Sequence, residues 1–414
     1  MIRKIRNALS SKDGKVILEN FLSLSALQLV GIVLPIITLP YVLRTIGFDK
    51  YGLIVLSASL ITYFQSLTDY SFRITATRDV AIFRGNPKKM NVIYSKVLSI
   101  KFLFLVFSYL ILGLLILFVP KFNENATIYL LSSLMLIGYA IFPEWFFQGI
   151  EKMKYITFLN LGIKVFFTVS VFALIKHKED YWIYPLLQSS GYIVAGIVGQ
   201  YIMVKKYKLK FIFLPFDSIF KSIKKNFPIF INQFVPNLYN NTSVFLLGLL
   251  TNNMIVGIYN AIMVVVNLSI TLLEIISRVF FPYLNRNKDK FISYAKLASV
   301  TAVILVLSIL CGHKIVFWYL NVNFEYSLTI LMILSFGILG YSLYNIFGIN
   351  YFLVHRKDKI VMWNTLFSSI IGLSLAYPLI GYFGIYGAAI NLTFCRWLMG
   401  GGLMYQYFRL KGGK

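Results

Sequence analysis

The chain has 414 residues, 58% of them hydrophobic, a mean hydropathy of +0.75, and a formal net charge of +25 with only 13% charged residues. So much apolar content exceeds what a soluble interior can bury. A basic surplus fits either nucleic acid or a membrane surface; here the cations sit in short gaps between long apolar runs, which selects the membrane and excludes nucleic acid as a partner.

In chain order, a basic start over residues 1–16 comes first, with Arg3, Lys4, Arg6, Lys12 and Lys15 and with Ile2, Ile5 and Leu9 at amphipathic spacing. The apolar run after it is long and lacks a clear cleavage site, so it reads as an uncleaved first membrane helix. Twelve segments of spanning length follow one another at 19–43, 52–74, 95–119, 126–150, 155–176, 181–204, 227–250, 256–282, 292–318, 326–349, 361–381 and 384–408. The expected fold is therefore an all-α integral membrane protein of about twelve transmembrane helices.

The connecting segments give the direction. With a cytoplasmic N-terminus, the inner gaps hold Arg78, Arg84, Lys88 and Lys89, then Lys152 and Lys154, then the run from Lys205 to Lys225. Arg286, Lys288, Lys290, Arg356, Lys357, Lys359, Arg409, Lys411 and Lys414 continue it, whereas the outer gaps hold only Arg44, Lys50, Lys121, Lys176, Lys178 and Lys314. This bias predicts that both termini are cytoplasmic and that the helix count is even. Within the largest inner gap, Phe216, Ile219, Phe220, Ile223 and Phe227 share one helical face and Lys221, Lys224 and Lys225 the other. That pattern predicts an amphipathic helix over about 215–227 lying on anionic lipid. Cys311 and Cys395 fall in apolar runs and His177, His313 and His355 in connections, without the spacing of a metal site or a disulfide.

A shift of 205 positions superposes the two halves without gaps: Gln28 on Gln233, Tyr51-Gly52-Leu53 on Val256-Gly257-Ile258, Ile141-Phe142 on Ile346-Phe347, Phe147 on Phe352, and Glu151-Lys152 on Arg356-Lys357. Six helices lie in each repeat, so the halves are expected to be parallel lobes, residues 1–208 and 209–414, facing a central cavity. In the second helix, Thr62, Ser66, Asp69, Arg73 and Thr77 make one polar stripe; in the eighth, the same shift gives Asn267, Thr271, Glu274 and Arg278. Each stripe carries an acid followed four residues later by Arg, the spacing of an ion pair on one helical face. Such a pair either stabilises the inner mouth or forms a charged wall of the cavity.

Further charges lie inside apolar runs. Lys164 and Arg396 stand near mid-membrane, too deep to reach an interface easily, and imply a water-filled cavity. Lys101 is shallower and either snorkels or lines the same space. Glu144 follows Pro143 and either titrates or pairs with one of these cations. Counting Arg73, Lys101, Lys164, Arg278 and Arg396 against Asp69, Glu144 and Glu274 gives a net-positive interior suited to an anion such as a sugar-bearing diphosphate.

Three strings carry a family resemblance: PYVLRTIG at 40–47, DYSFRITATRDV at 69–80 and PEWFFQGIEKMK at 143–154. They resemble the segments of repeat-unit flippases of bacterial surface polysaccharides (Wzx type), in the superfamily shared with MATE exporters and the lipid II flippase. The resemblance implies a two-lobed transporter of the bacterial inner membrane that moves undecaprenyl-diphosphate-linked oligosaccharide by alternating access. Lipid-linked oligosaccharide and membrane lipid would be its partners, with a polysaccharide polymerase and a chain-length regulator beside it. Substrate-binding roles then fall to Lys164, Arg396, Arg73, Arg278, Arg78 and Lys101, and coupling or gating roles to Asp69, Glu274 and Glu144. The sequence departs from the family pattern at Ser71, where Gly is expected, and at Arg73, where a neutral residue is expected; Arg78 fits it.

Two other functions compete. A MATE-type exporter of small molecules would need acids to hold cations, and this interior is too basic. A membrane-embedded polymerase would carry its catalytic groups on a large outer loop, and the outer gaps are short. Without a phosphate-binding glycine loop or a metal motif, no cofactor is expected, and the energy would come from a proton or sodium gradient or from removal of product.

Overall fold

The computed structural model describes residues 12–412, and within them regular structure is helical throughout. Residues 1–11 of the basic start lie outside them. In chain order the helices are α1 (Lys12–Asp69), α2 (Phe72–Phe83), α3 (Pro87–Phe118), α4 (Pro120–Asn123), α5 (Ala126–Ile141), α6 (Glu144–Gly149), α7 (Met153–Leu174) and α8 (Ile183–Lys205). They continue as α9 (Phe216–Leu250), α10 (Asn253–Arg286), α11 (Phe291–Cys311), α12 (His313–Leu320), α13 (Ser327–Leu343), a π-helix (Tyr344–Leu353) and α14 (Asp358–Gly412).

Two of these are too long to cross a membrane once. At 1.5 Å per residue, the 58 residues of α1 would extend about 87 Å, against an apolar core of about 30 Å. The chain breaks each long helix with a glycine: Gly47 (φ 78°, ψ 167°) in α1 and Gly384 (φ 53°, ψ −126°) in α14. At these positive φ angles a Cβ would crowd the preceding carbonyl group, which is why glycine marks the turn. Each of the twelve apolar segments of the sequence falls on helix; among the described residues eight helices are long and apolar enough to cross a membrane, two of them broken into two passages, and the protein is a multi-pass membrane protein.

The described residues form two compact units. One comprises the described residues up to 41 together with 60–231, the other 42–59 and the described residues from 232 onward. In the first, α5 and the Pro143 turn that follows it meet α8 through small residues. A Cβ on Gly138 would lie 2.6 Å from the Tyr192 Cβ, and one on Gly199 would lie 2.5 Å from the Pro143 ring. In the second, Gly340 of α13 approaches the Trp397 backbone of α14 so closely that a Cβ would lie 2.8 Å from its nitrogen. Glycine brings backbones close enough for dispersion to hold helices together where lipid removes the hydrophobic drive. Gly52 and Gly257, superposed in sequence by the 205-residue shift, also touch within the second unit: a Cβ on Gly257 would meet the Phe48 carbonyl oxygen. Beside them Tyr51 donates to Asn260 Oδ1 at 2.7 Å.

One element differs from expectation. The amphipathic stretch expected over 215–227 is not separate; it is the first turns of the 35-residue α9. Phe216, Phe220 and Phe227 remain exposed on it. Its backbone is pinned to the first unit by Tyr70, whose hydroxyl donates to the Ile223 carbonyl and whose ring stacks between Phe104 and Phe230, both at 4.7 Å.

Candidate functional site

In the first unit the second membrane passage is interrupted. α1 ends at Asp69 and α2 begins at Phe72; between them Tyr70 (φ 43°) and Ser71 (φ 61°) occupy the left-handed region. Both residues are buried, and a non-glycine side chain there costs about 1–2 kcal/mol. Glycine, which the resemblance leads one to expect at position 71, would adopt this backbone without that cost.

The break also corrects the expected pairing of Asp69 with Arg73. Four residues of continuous helix would place them on one face, but two left-handed residues intervene and send them to different partners. Asp69 Oδ1 binds Lys101 Nζ of α3 at 3.1 Å, and Arg73 binds Glu144 Oε1 of α6 at 3.2 Å. Lys101 does not snorkel: its side chain is 4% exposed, and the ammonium also points at the Tyr139 carbonyl at 3.4 Å. Glu144 interacts with Asp69 and Lys101 as well, so the four charges form one neutral cluster. Its position follows from a second interruption at Phe142–Pro143, where α5 stops and α6 restarts. Thr77 Oγ1 ties α2 to α6 through the Trp145 carbonyl at 3.1 Å.

In the second unit α10 is continuous through its polar stripe, and the expected pair forms: Arg278 Nη2 lies 3.2 Å from Glu274 Oε2. Tyr341 donates to the other carboxylate oxygen, Oε1, at 2.6 Å. Next to them the tenth passage relaxes into the π-helix, at the positions that the 205-residue shift matches to the α5–α6 interruption. A π-helix widens the turn and turns side chains off the α-helical register, a device frequent at functional sites. Asn350 pins it: its Nδ2 reaches Ser277 Oγ (2.6 Å), Tyr294 Oη (2.8 Å) and the Asn345 carbonyl (3.1 Å). The pair and the π-helix line an open cavity of about 490 Å³, with Glu274, Arg278, Tyr341, Tyr344 and Asn345 in its wall.

The two deep cations stand apart from these clusters. Lys164 is half-buried on α7, and its ammonium rests over Gly31 of α1, where a Cβ would come within 2.6 Å of it. No carboxylate among the described residues pairs with it. Arg396 of α14 is 6% exposed and runs along Gly337 of α13, where a Cβ would lie 3.3 Å from its Cδ. Arg78 lies elsewhere again, half-exposed beside Asp79 in a second cavity of about 440 Å³ with Lys96, Lys221 and Lys225.

Sequence reasoning missed Tyr139, Tyr341, Tyr344 and Asn345. One signal was available: Tyr139 and Tyr344 are 205 positions apart, one beside each charged cluster. Asn345 carried no such mark, because its environment depends on the π-helix.

Comparison with known proteins adds the family. Residues 17–288 match the model of the polysaccharide biosynthesis protein family. The chain belongs to that family. A candidate O-antigen transporter of Escherichia coli (strain K12) is 28% identical over 90% of this chain and 92% of its own length. One of Shigella dysenteriae is 26% identical over 91% and 96%. Among solved structures, the lipid II flippase MurJ in an inward closed conformation has a TM-score of 0.71 at 13% identity, covering 95% of this chain and 87% of MurJ. An inward-facing multidrug resistance MATE transporter of the MOP superfamily has a TM-score of 0.65 at 12% identity, covering 92% and 95%. This member of the polysaccharide biosynthesis family thus shares its fold with these two solved structures.

Proposed function

We propose that the protein is a flippase of the bacterial inner membrane. It carries undecaprenyl-diphosphate-linked oligosaccharide repeat units from the cytoplasmic to the periplasmic leaflet for O-antigen or capsule synthesis. The observation that carries the reading is end-to-end similarity to candidate O-antigen transporters on a fold shared with a lipid II flippase. The MATE likeness is one of fold alone, at 12% identity, so it gives an exporter less support.

In this proposal Lys164 and Arg396 hold the diphosphate, as cations placed within apolar helices where a charge is expensive and marks a ligand path. Arg73, Lys101 and Arg278 are already held by carboxylates. They reach a phosphate only by releasing Glu144, Asp69 and Glu274, which makes the acids the gating and coupling partners of a proton or sodium gradient. Arg78 meets the headgroup at the cytoplasmic face, where both termini lie. A polysaccharide polymerase and a chain-length regulator receive the product.

Deleting the gene in its host tests this. Surface polysaccharide should disappear while single lipid-linked units accumulate on the cytoplasmic leaflet. Normal polysaccharide in a host without a second flippase contradicts the reading, and accumulation of units already exposed to the periplasm points to a polymerase instead.

A further inference from the structure

While Arg278 stays paired with Glu274, the cavity beside the π-helix offers a chemistry other than phosphate binding. Its charges cancel: Glu274 and Arg278 are paired at 3.2 Å, and the second carboxylate oxygen accepts from Tyr341. A phosphate would meet the carboxylate, and a metal ion would meet the guanidinium. No group of three or more metal-ligating side chains occurs among the described residues.

What the wall offers is a mixed set of donors and acceptors with aromatic surface. The carboxylate accepts, the guanidinium donates, and the rings of Tyr341 and Tyr344 flank them. Asn345 adds the deciding feature. Its side chain is 2% exposed, it belongs to the cavity wall, and neither its amide oxygen nor its amide nitrogen has a hydrogen-bond partner among the described residues. A buried amide without partners is unfavourable; Asn350, five residues on in the same π-helix, is engaged through its nitrogen, though its amide oxygen has no partner among the described residues. The π-helix is thus held by one asparagine and presents the other with both its donor and its acceptor unused.

We propose that this cavity is a carbohydrate subsite that takes one pyranose ring of the lipid-linked glycan, an inference that rests on the flippase reading. A sugar hydroxyl both donates and accepts, so adjacent hydroxyls satisfy an amide and a carboxylate together. The C–H face of the ring packs on tyrosine. The volume of about 490 Å³ lies in the range of small-molecule pockets, about 300–1,000 Å³. Because a site built to hydrogen-bond hydroxyls rejects ligands lacking them, this subsite discriminates between glycosylated and bare lipid, a task for which deep cations alone have no means.

The test uses the full-length protein in lipid nanodiscs and two probes: bare undecaprenyl diphosphate, and the lipid-linked units extracted from the producing strain. Equilibrium binding of each is titrated by native mass spectrometry for wild type, Asn345→Leu and Tyr341→Phe; the last keeps ring and volume if the first fails to accumulate. Wild type should bind the glycosylated lipid about tenfold more tightly than the bare one, a discrimination one hydrogen-bonding subsite can supply. Each variant should bring the two affinities within about twofold by losing affinity only for the glycosylated lipid. A wild-type preference that survives both substitutions overturns the subsite and leaves the flippase reading intact, as does equal wild-type affinity for the two probes. Wild-type protein that binds neither lipid overturns the flippase reading itself.

Discussion

Removing Asp69 should harm the protein more than removing Asp69 and Lys101 together. Lys101 is 3% exposed, and its ammonium lies 3.1 Å from the Asp69 carboxylate. Breaking a buried pair by deleting one partner costs about 3–5 kcal/mol, because the surviving charge stays dry. Here the Asp69 side chain is 37% exposed, and Glu144 also acts on Lys101. The cost of Asp69→Ala is therefore placed at about 2 kcal/mol. Lys101→Met leaves a carboxylate that water reaches and should cost about 1 kcal/mol. The double variant Asp69→Ala, Lys101→Met leaves no stranded charge and should also cost about 1 kcal/mol, a coupling of about 2 kcal/mol. Asp69→Ala combined with Arg73→Ala should be close to additive, since Arg73 binds Glu144. Thermal melting of the purified variants in one detergent reads the order. Asp69→Ala, Lys101→Met should melt above Asp69→Ala, and Asp69→Ala, Arg73→Ala below it. The reverse order would refute the crossed pairing and restore an Asp69–Arg73 pair.

Other substitutions probe the backbone. Ser71→Gly should raise stability by about 1 kcal/mol, seen as a higher melting temperature, because it removes left-handed strain and a buried hydroxyl without a partner; a lower melting temperature contradicts the interruption at Tyr70–Ser71. Gly340→Ala should cost about 1–3 kcal/mol, since the new methyl would meet the Trp397 backbone rather than a movable side chain; unchanged melting would mean that α13 and α14 lie further apart. Reporter fusions should place the C-terminus and the 205–226 segment in the cytoplasm and 120–126 and 176–181 in the periplasm. A periplasmic C-terminus would overturn the even count of passages.

The twelve apolar segments were legible as helices because apolar length and charge bias are read directly from composition. The Glu274–Arg278 pair was legible too, since α10 keeps its helical period through both residues. Asp69–Arg73 has the same spacing and was misread, because spacing predicts a shared face only while the helix continues. The break at Tyr70–Ser71 carries no glycine to announce it. Lys101 was left open for a related reason: depth along α3 does not separate snorkelling from a place in the interior, and the Asp69 carboxylate and the Tyr139 carbonyl that hold it come from other helices. Asn345 and Tyr341 had no visible signal in the sequence, because a π-helix sets their register.

The central claim is transport of a lipid-linked glycan through a cationic interior, and reconstituted translocation tests it most directly. Purified protein in vesicles loaded with the producing strain's lipid-linked units should move them to the opposite leaflet, measured by the fraction accessible to an added glycan-binding lectin. Lys164→Ala should abolish the movement without lowering the amount of protein inserted, because that ammonium, seated over Gly31, pairs with no carboxylate among the described residues. Absence of translocation by wild type, or full translocation by Lys164→Ala and Arg396→Ala alike, would contradict the account.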